Sequence, residues 1–234
     1  MDARRGYVPE DDRNFSPDSL ETMRKASGNI CYLLEEGYEL KQAAVFVGNH
    51  FLLSERQRLA IMRSVAAKSE LSDRESRQIP LASLAGTEVW IDGFNTIITL
   101  EVMLSGSPVF VCMDGTYRDL AALRGTYRII DKTKEAVKLM LSVLEDAGIK
   151  KATVLLDEPV SNSGRLKALI ADAAEEQENT FLLDIRVLKD VDRMLYDRKG
   201  VITSDSIILD HCESWINLAE ECMKRTKASG IKVW

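Results

Sequence analysis

Four aspartates stand where apolar, strand-like runs give out: Asp92 after "TEVWID", Asp114 after "SPVFVCMD", Asp157 after "KATVLLD" and Asp205 after "GVITSD". In an open parallel sheet the carboxyl ends of the strands share one edge, and ligands bind in the crevice outside it. Carboxylates gathered there repel one another unless a cation sits among them. Hard oxygen donors of this kind suit Mg²⁺ or Mn²⁺. The chemistry expected of such a site is attack of metal-activated water on a phosphodiester, which needs no histidine base. Asp92, Asp205 and Asp157 are the expected catalytic groups. These three, with Asp114 and with Asp210 just over a helical turn beyond Asp205, are the expected metal ligands. An organic cofactor is not expected.

Other residue types fit the handling of a substrate. Asn95 follows Asp92 by three positions and can orient a phosphate or the backbone. The loop "LLDEPVSNSGR" offers Ser161, Asn162 and Ser163 at a helix start, a natural anion seat. It lacks the Gly-Lys-Ser/Thr of a Walker motif, which disfavours nucleotide hydrolysis of that type. The tetrapeptide Gly-Thr-Tyr-Arg occurs at 115–118 and again at 125–128, bringing Tyr117, Arg118, Arg124, Tyr127 and Arg128 into one region. Arginine forks bind phosphate and tyrosine rings stack on unpaired bases. A basic helix, "SERQRLAIMRSVAAK", adds Arg56, Arg58, Arg63 and Lys68. Each feature has a plainer reading: Asp205 as a helix cap, Asp92-Gly93 as a turn, the serine loop as a capped helix start, and the charges as solvated surface.

The pattern of the chain says which elements would position these groups. Residues 1–15 read as a flexible polar arm. Helices are expected over 16–36, with Ser16 capping and Pro17 in the first turn, over 40–47, and over 54–68, where Ser54 and Gln57 have capping-box spacing. Together 16–68 make a small all-helical domain, and the polar stretch 69–84 ending its charged run at Pro80 reads as a linker. Beyond it, 85–234 alternates strand and helix: strands at 87–91, 108–113, 152–156, 181–188 and 200–203, helices near 94–105, 131–147, 164–177 and 206–227. That alternation predicts an α/β fold with a doubly wound, mostly parallel sheet. Within it "WIDGFNTIITL" could also form a hairpin about Asp92-Gly93, but a helix preserves the register downstream.

Composition narrows the class. A net charge of −6 argues against a broad basic surface, so any nucleic-acid contact is expected to be local. No apolar run reaches the roughly 18 residues of a membrane span, and the start has no secretory core. Four scattered cysteines, none in a Cys-x-x-Cys pair, fit free thiols in a reducing cytoplasm. The two histidines lie beside no nucleophile motif.

The pairing of "VWIDGFN" with the late "VITSD" resembles the PIN-like and NYN nuclease superfamily over about residues 85–225. That resemblance implies a metal-dependent nuclease in which Asp92 matches the first-strand acid, Asp205 the late acid and Asp210 an additional late acid. Glu101 and Glu135 are both candidates for the superfamily's helical acid, neither in a recognisable motif. Through "VGNHFLLSERQR" and "DEPVSNSGR", nearly the whole chain is also similar to domain-of-unknown-function family 434, which brings no established activity. The expectation is a cytoplasmic, divalent-metal-dependent endoribonuclease with RNA as partner and a homodimer left open. The rivals are a non-catalytic RNA- or nucleotide-binding module of PIN-like fold, and a scaffold whose acids are all caps and turns.

Overall fold

A computed structural model describes residues 4–121 and 125–234. Its strands are β1 (Glu88–Asp92), β2 (Val109–Val111), β3 (Tyr117–Asp119), β4 (Lys151–Asp157), β5 (Leu182–Leu188), β6 (Val201–Ile202) and β7 (Trp215–Ile216). Five of them form one parallel sheet in the order β5-β4-β1-β6-β7. The chain winds outward from β1 through β4 to β5, then crosses back to lay β6 and β7 on the other side of β1. Winding therefore reverses between β1 and β6. Strand β4, interior in the sheet, is buried from Ala152 to Leu156, as a continuous run covered on both faces should be.

Five helices precede the sheet: α1 (Asp11–Asn14), α2 (Pro17–Glu35), α3 (Leu40–His50), α4 (Glu55–Ser64) and α5 (Lys68–Ser76). Ser16 caps α2, and Ser54 with Gln57 closes a capping box on α4. Six more accompany the strands: α6 (Gly93–Leu104), α7 (Asp131–Asp146), α8 (Ser163–Glu176), α9 (Val191–Leu195), α10 (Ser206–His211) and α11 (Leu218–Thr226). The stripe of Val137, Met140, Leu141 and Leu144 on α7 is fully buried in the main core.

Segment 93–104 is a helix, and Gly93 is there for space. A Cβ on Gly93 would lie 2.7 Å from the Leu155 carbonyl oxygen of β4. The hairpin turn falls instead at the chain's other Asp-Gly pair, Asp114-Gly115, where Gly115 has φ 80°. This corrects one expectation. The run 108–113 does not join the parallel sheet; β2 pairs antiparallel with β3 in a separate hairpin. Asp114 consequently sits in that hairpin turn, with one carboxylate oxygen accepting from the Thr116 N–H and hydroxyl.

Three other expectations need revision. The closing helix is broken: α10 ends at His211, and Trp215 and Ile216 form the edge strand β7, both buried, before α11 begins. The expected linker contains α5, whose Arg74 is buried. The expected arm is docked from residue 4: Arg5, Asp11 and Asn14 are buried, and Arg56 of α4 bonds Asp11 with both Nε and Nη2. The N-terminal helices also do not close a core by themselves. Met23, Ile30, Val47 and Ile61 share their apolar cluster with Phe110, Leu120 and Val233. No described helix is long and apolar enough to cross a membrane.

Candidate functional site at the strand crossover

The parallel pairing puts Ile91 beside Ile202, so Asp92 and Thr203 leave neighbouring strands side by side. The Thr203 hydroxyl donates to Asp92 Oδ2 at 2.8 Å. The Asn95 side-chain oxygen, one turn into α6, accepts from the Ser204 N–H at 2.8 Å and from its hydroxyl at 2.9 Å. Asp205 Oδ1 accepts from the Ile207 and Ile208 N–H groups and so caps α10. Segments 92–95 and 203–205, more than a hundred residues apart in sequence, thus form one hydrogen-bonded rim at the point where the sheet reverses direction. Crevices at such points are where open α/β sheets bind ligands.

Electrostatics single out Asp92. Burial pushes its pKa up to about 7, opposed by the Thr203 hydrogen bond and reinforced by the charges of Asp205, Asp157 and Asp192. Asp157, at the end of β4, is raised first by burial and then by Asp192. Asp192, on α9, is raised by burial, then by Asp205 and Asp190. Among the described residues no Lys or Arg forms an ion pair with Asp92, Asp157, Asp192 or Asp205. Asp192 is the member missing from the sequence reading. Its signal was present, because "VLKDVDR" puts Asp190 and Asp192 just past β5 by the same rule that selected the others. No group of three or more His, Cys, Asp or Glu side chains among the described residues is disposed to hold a metal ion as it stands.

The remaining expected residues go elsewhere. Asp114 and Asp210 are not brought to Asp92; both pair with Arg74 of α5, at 2.9 and 2.7 Å, and Asp114 also with Arg118 at 2.6 Å. Burial opposes the charge on Asp114, but Arg118, Thr116 and Arg74 outweigh it and hold the carboxyl below the usual range. Arg118 is committed further, its Nε donating to the Ser204 carbonyl at 2.6 Å. Tyr127 offers no stacking face: it is buried, its hydroxyl donating to Glu101 at 2.6 Å. Glu101 is fully buried against Arg5, Tyr127 and Thr133, and Glu135 pairs on the surface with Lys132, so neither candidate helical acid reaches the rim.

Nor is the serine loop a vacant anion seat. Ser161 and Asn162 hydrogen-bond the Tyr127 backbone, and Ser163 donates to the Val160 carbonyl. Tyr117 is half-buried with its ring against Gly230, and Arg128 is exposed. Arg124 lies outside the described residues. Of the four cations on the basic helix stretch, Arg56 and Arg58 are tied to local partners.

These features define a class: a parallel α/β protein with acids at its crossover that, among the described residues, pair with no Lys or Arg. The chain belongs to the family described as Domain of unknown function (DUF5616), whose model matches residues 81–221. A second model, Protein of unknown function (DUF434), matches residues 22–77. The similarity to family 434 therefore covers the N-terminal helices, while "DEPVSNSGR" and "VITSD" fall in the other family. An uncharacterized protein of Methanocaldococcus jannaschii is 33% identical over 190 residues, which is 80% of this chain and 89% of that one. No solved structure matches.

Proposed function

We propose that the protein is a divalent-cation-dependent ribonuclease of PIN-like architecture, acting at the rim of Asp92, Asp157, Asp192 and Asp205. One observation carries the reading: a buried carboxyl at the crossover whose charge is opposed by three further acids and which, among the described residues, pairs with no Lys or Arg. Such an arrangement costs stability unless something positive occupies it. The donor set fits a hard cation, since Mg²⁺ keeps several waters and needs only one or two carboxylates beside substrate phosphates. Asp92 and Asp205 would hold it, flanked by Asp157 and Asp192. When bound, it would supply Lewis acidity to a phosphoryl oxygen and lower the pKa of a coordinated water.

The chain's own groups do the positioning. Thr203 fixes one oxygen of Asp92, leaving the other for a ligand, and Asn95 locks Ser204 so that Asp205 leaves β6 in a set direction. The strand order and the Asp92 and Thr203-Ser204-Asp205 pairing support the PIN-like comparison. The employment of Glu101 elsewhere favours the second reading, a module of the same fold that binds RNA without cutting it.

Labelled single-stranded RNA incubated with Mn²⁺ or EDTA, beside Asp92→Asn and Asp205→Asn variants, separates the two. Cleavage that requires Mn²⁺ and disappears in both variants is the expected result. Binding without cleavage selects the module, and neither binding nor cleavage ends both.

A further inference from the structure

We propose that Arg63, contributed by the N-terminal helix α4, is a positioning residue that grips a backbone phosphate of the nucleic-acid strand lying across the acidic rim. The inference rests on the ribonuclease reading and adds a substrate contact from outside the α/β segment. A cleft of about 220 Å³ opens beside the rim, lined by Met62 and Arg63 on one wall and by Asn95, Ser204, Asp205 and Ser206 on the other. It is smaller than the roughly 300–1,000 Å³ of pockets that enclose a whole ligand. A phosphodiester with its sugar, passing through as part of a longer strand, matches that size better.

Two other charged groups line the cleft, and both are already engaged. Arg118 has a side chain only 10% exposed and gives its guanidinium to Asp114, the Ser204 carbonyl and the Arg63 carbonyl. Asp119 accepts from the Thr99 hydroxyl and the Ala121 N–H. Arg63 is different. Its side chain is 34% exposed, one Nη1 hydrogen bond to the Asp119 carbonyl anchors it, and a loose 3.9 Å approach to the Asp119 carboxylate is its one ion pair among the described residues. Its Nε and Nη2 make no hydrogen bond among the described residues. A guanidinium tethered at one corner, with two donors uncommitted among the described residues, suits a phosphate. It lines the same cleft as Asp205, so a phosphate it held would lie along the strand from the one at the acids. The placement also gives the N-terminal helices a reason to be joined to this α/β fold: Arg63 adds a cation whose donors, unlike those of Arg118, are not already taken up.

Fluorescence anisotropy of a labelled oligouridylate, with Ca²⁺ replacing Mn²⁺ to slow turnover, tests the contact across about 50 to 200 mM salt. Wild type, Arg63→Gln, Arg63→Lys and the exposed control Arg24→Gln are compared, each checked by melting. Loss of one phosphate contact on single-stranded nucleic acid reduces the salt slope by about 0.7. Arg63→Gln is expected to show that reduction with roughly tenfold weaker binding at low salt. Arg63→Lys, which retains the charge, keeps the slope but loses a few-fold in affinity; if the Gln variant does not fold, this result carries the test. Wild-type affinity and slope in both variants overturn the proposal while leaving the rim untouched. A wild type that binds no RNA also overturns it; if Mn²⁺ then still raises the melting point and Asp92→Asn abolishes the rise, the cation site survives alone.

Discussion

Asp92 is a residue whose charge works against the fold. Its carboxyl pKa is raised from 3.8 to about 7, so the folded protein holds that proton more tightly than the unfolded chain does. The stability this contributes is complete below about pH 4 and is lost as pH rises through 7, a loss of at most about 4 kcal/mol for a shift of that size. Asp92→Asn keeps an acceptor for Thr203 and removes the charge. It should therefore melt higher than wild type near pH 8 and no higher near pH 4, a stabilising change at the expense of function. Mn²⁺ should raise the wild-type midpoint near pH 8, raise it less near pH 5, and leave the variant unmoved. Calorimetry across that range checks all three, and an Asn variant that melts with wild type near pH 8 would remove the basis for an unneutralised rim. Gly93 next door is constrained by space rather than charge. An alanine there would drive its Cβ to 2.7 Å from a backbone oxygen of the interior strand β4, which cannot move aside. Gly93→Ala should cost about 1–3 kcal/mol, read as a lower denaturation midpoint with an unchanged slope.

At the level of elements, legibility followed how much of the signal was local. Helix α2 was readable because Ser16, Pro17 and its apolar stripe lie within the helix itself, and α7 because its repeat is long and regular. By local sequence the two Asp-Gly pairs look alike; the downstream strand–helix register pointed to a helix after Asp92-Gly93, but nothing marked Asp114-Gly115 as a hairpin turn. Asp92-Gly93 and Asp114-Gly115 are the same dipeptide after similar strands, and the difference lies in the neighbours: β4 crowds the first, while open space surrounds the second. Strand β7 was hidden because Cys212, Trp215, Ile216 and Ala219 fall at helical spacing, although two residues of pairing with β6 decide the matter. Of the site, Asp92, Asp157 and Asp205 were legible as acids at strand ends. Asp114 satisfied the same local criterion, and Asp210 was chosen for lying a turn beyond Asp205, but both met Arg74, whose place on a helix within a polar segment gave no warning. That arginine ties α5 to the hairpin and to α10. Arg74→Leu breaks the buried pair with Asp114, leaving it Arg118 and Thr116, and unpairs the exposed Asp210, so urea unfolding should show a loss of about 3 kcal/mol, the lower end for breaking a buried pair. Because the folded pKa of Asp114 is depressed, its stabilisation is present above the ordinary carboxylate range and lost on acidification. The Leu variant should therefore lose less stability than wild type between about pH 5 and 3.

For the whole molecule, the junction between the two matched families near residue 80 is not a boundary in the packing. Phe110 and Leu120, from and beside the hairpin, and Val233, near the end of the chain, are buried with Met23, Ile30 and Ile61 of the N-terminal helices. Polar ties cross the same junction: the Met113 N–H donates to the Ser64 carbonyl at 2.8 Å, and the Trp215 indole to the Arg74 carbonyl at 2.7 Å. The docked N-terminal segment adds Arg5, which reaches Glu101 in the last turn of α6, where burial raises the carboxyl and Thr133, Tyr127 and Arg5 oppose that rise. Cutting the chain at the junction would expose the large side chains of Phe110, Leu120 and Val233 together and leave Glu101 buried without its cation. Each fully buried apolar side chain of this kind contributes about 1.5–3 kcal/mol, and an uncompensated buried charge costs several more. Against a total stability of about 5–15 kcal/mol, losses of that size leave no folded state in reserve. The full chain should then melt in one transition, coincident by near- and far-ultraviolet circular dichroism, and residues 81–234 alone should bind a hydrophobic dye and lack a cooperative melt. A dispersed amide spectrum and a cooperative transition from 81–234 would show instead that the α/β part folds independently, and Arg63 would then reach the rim from a separately docked unit.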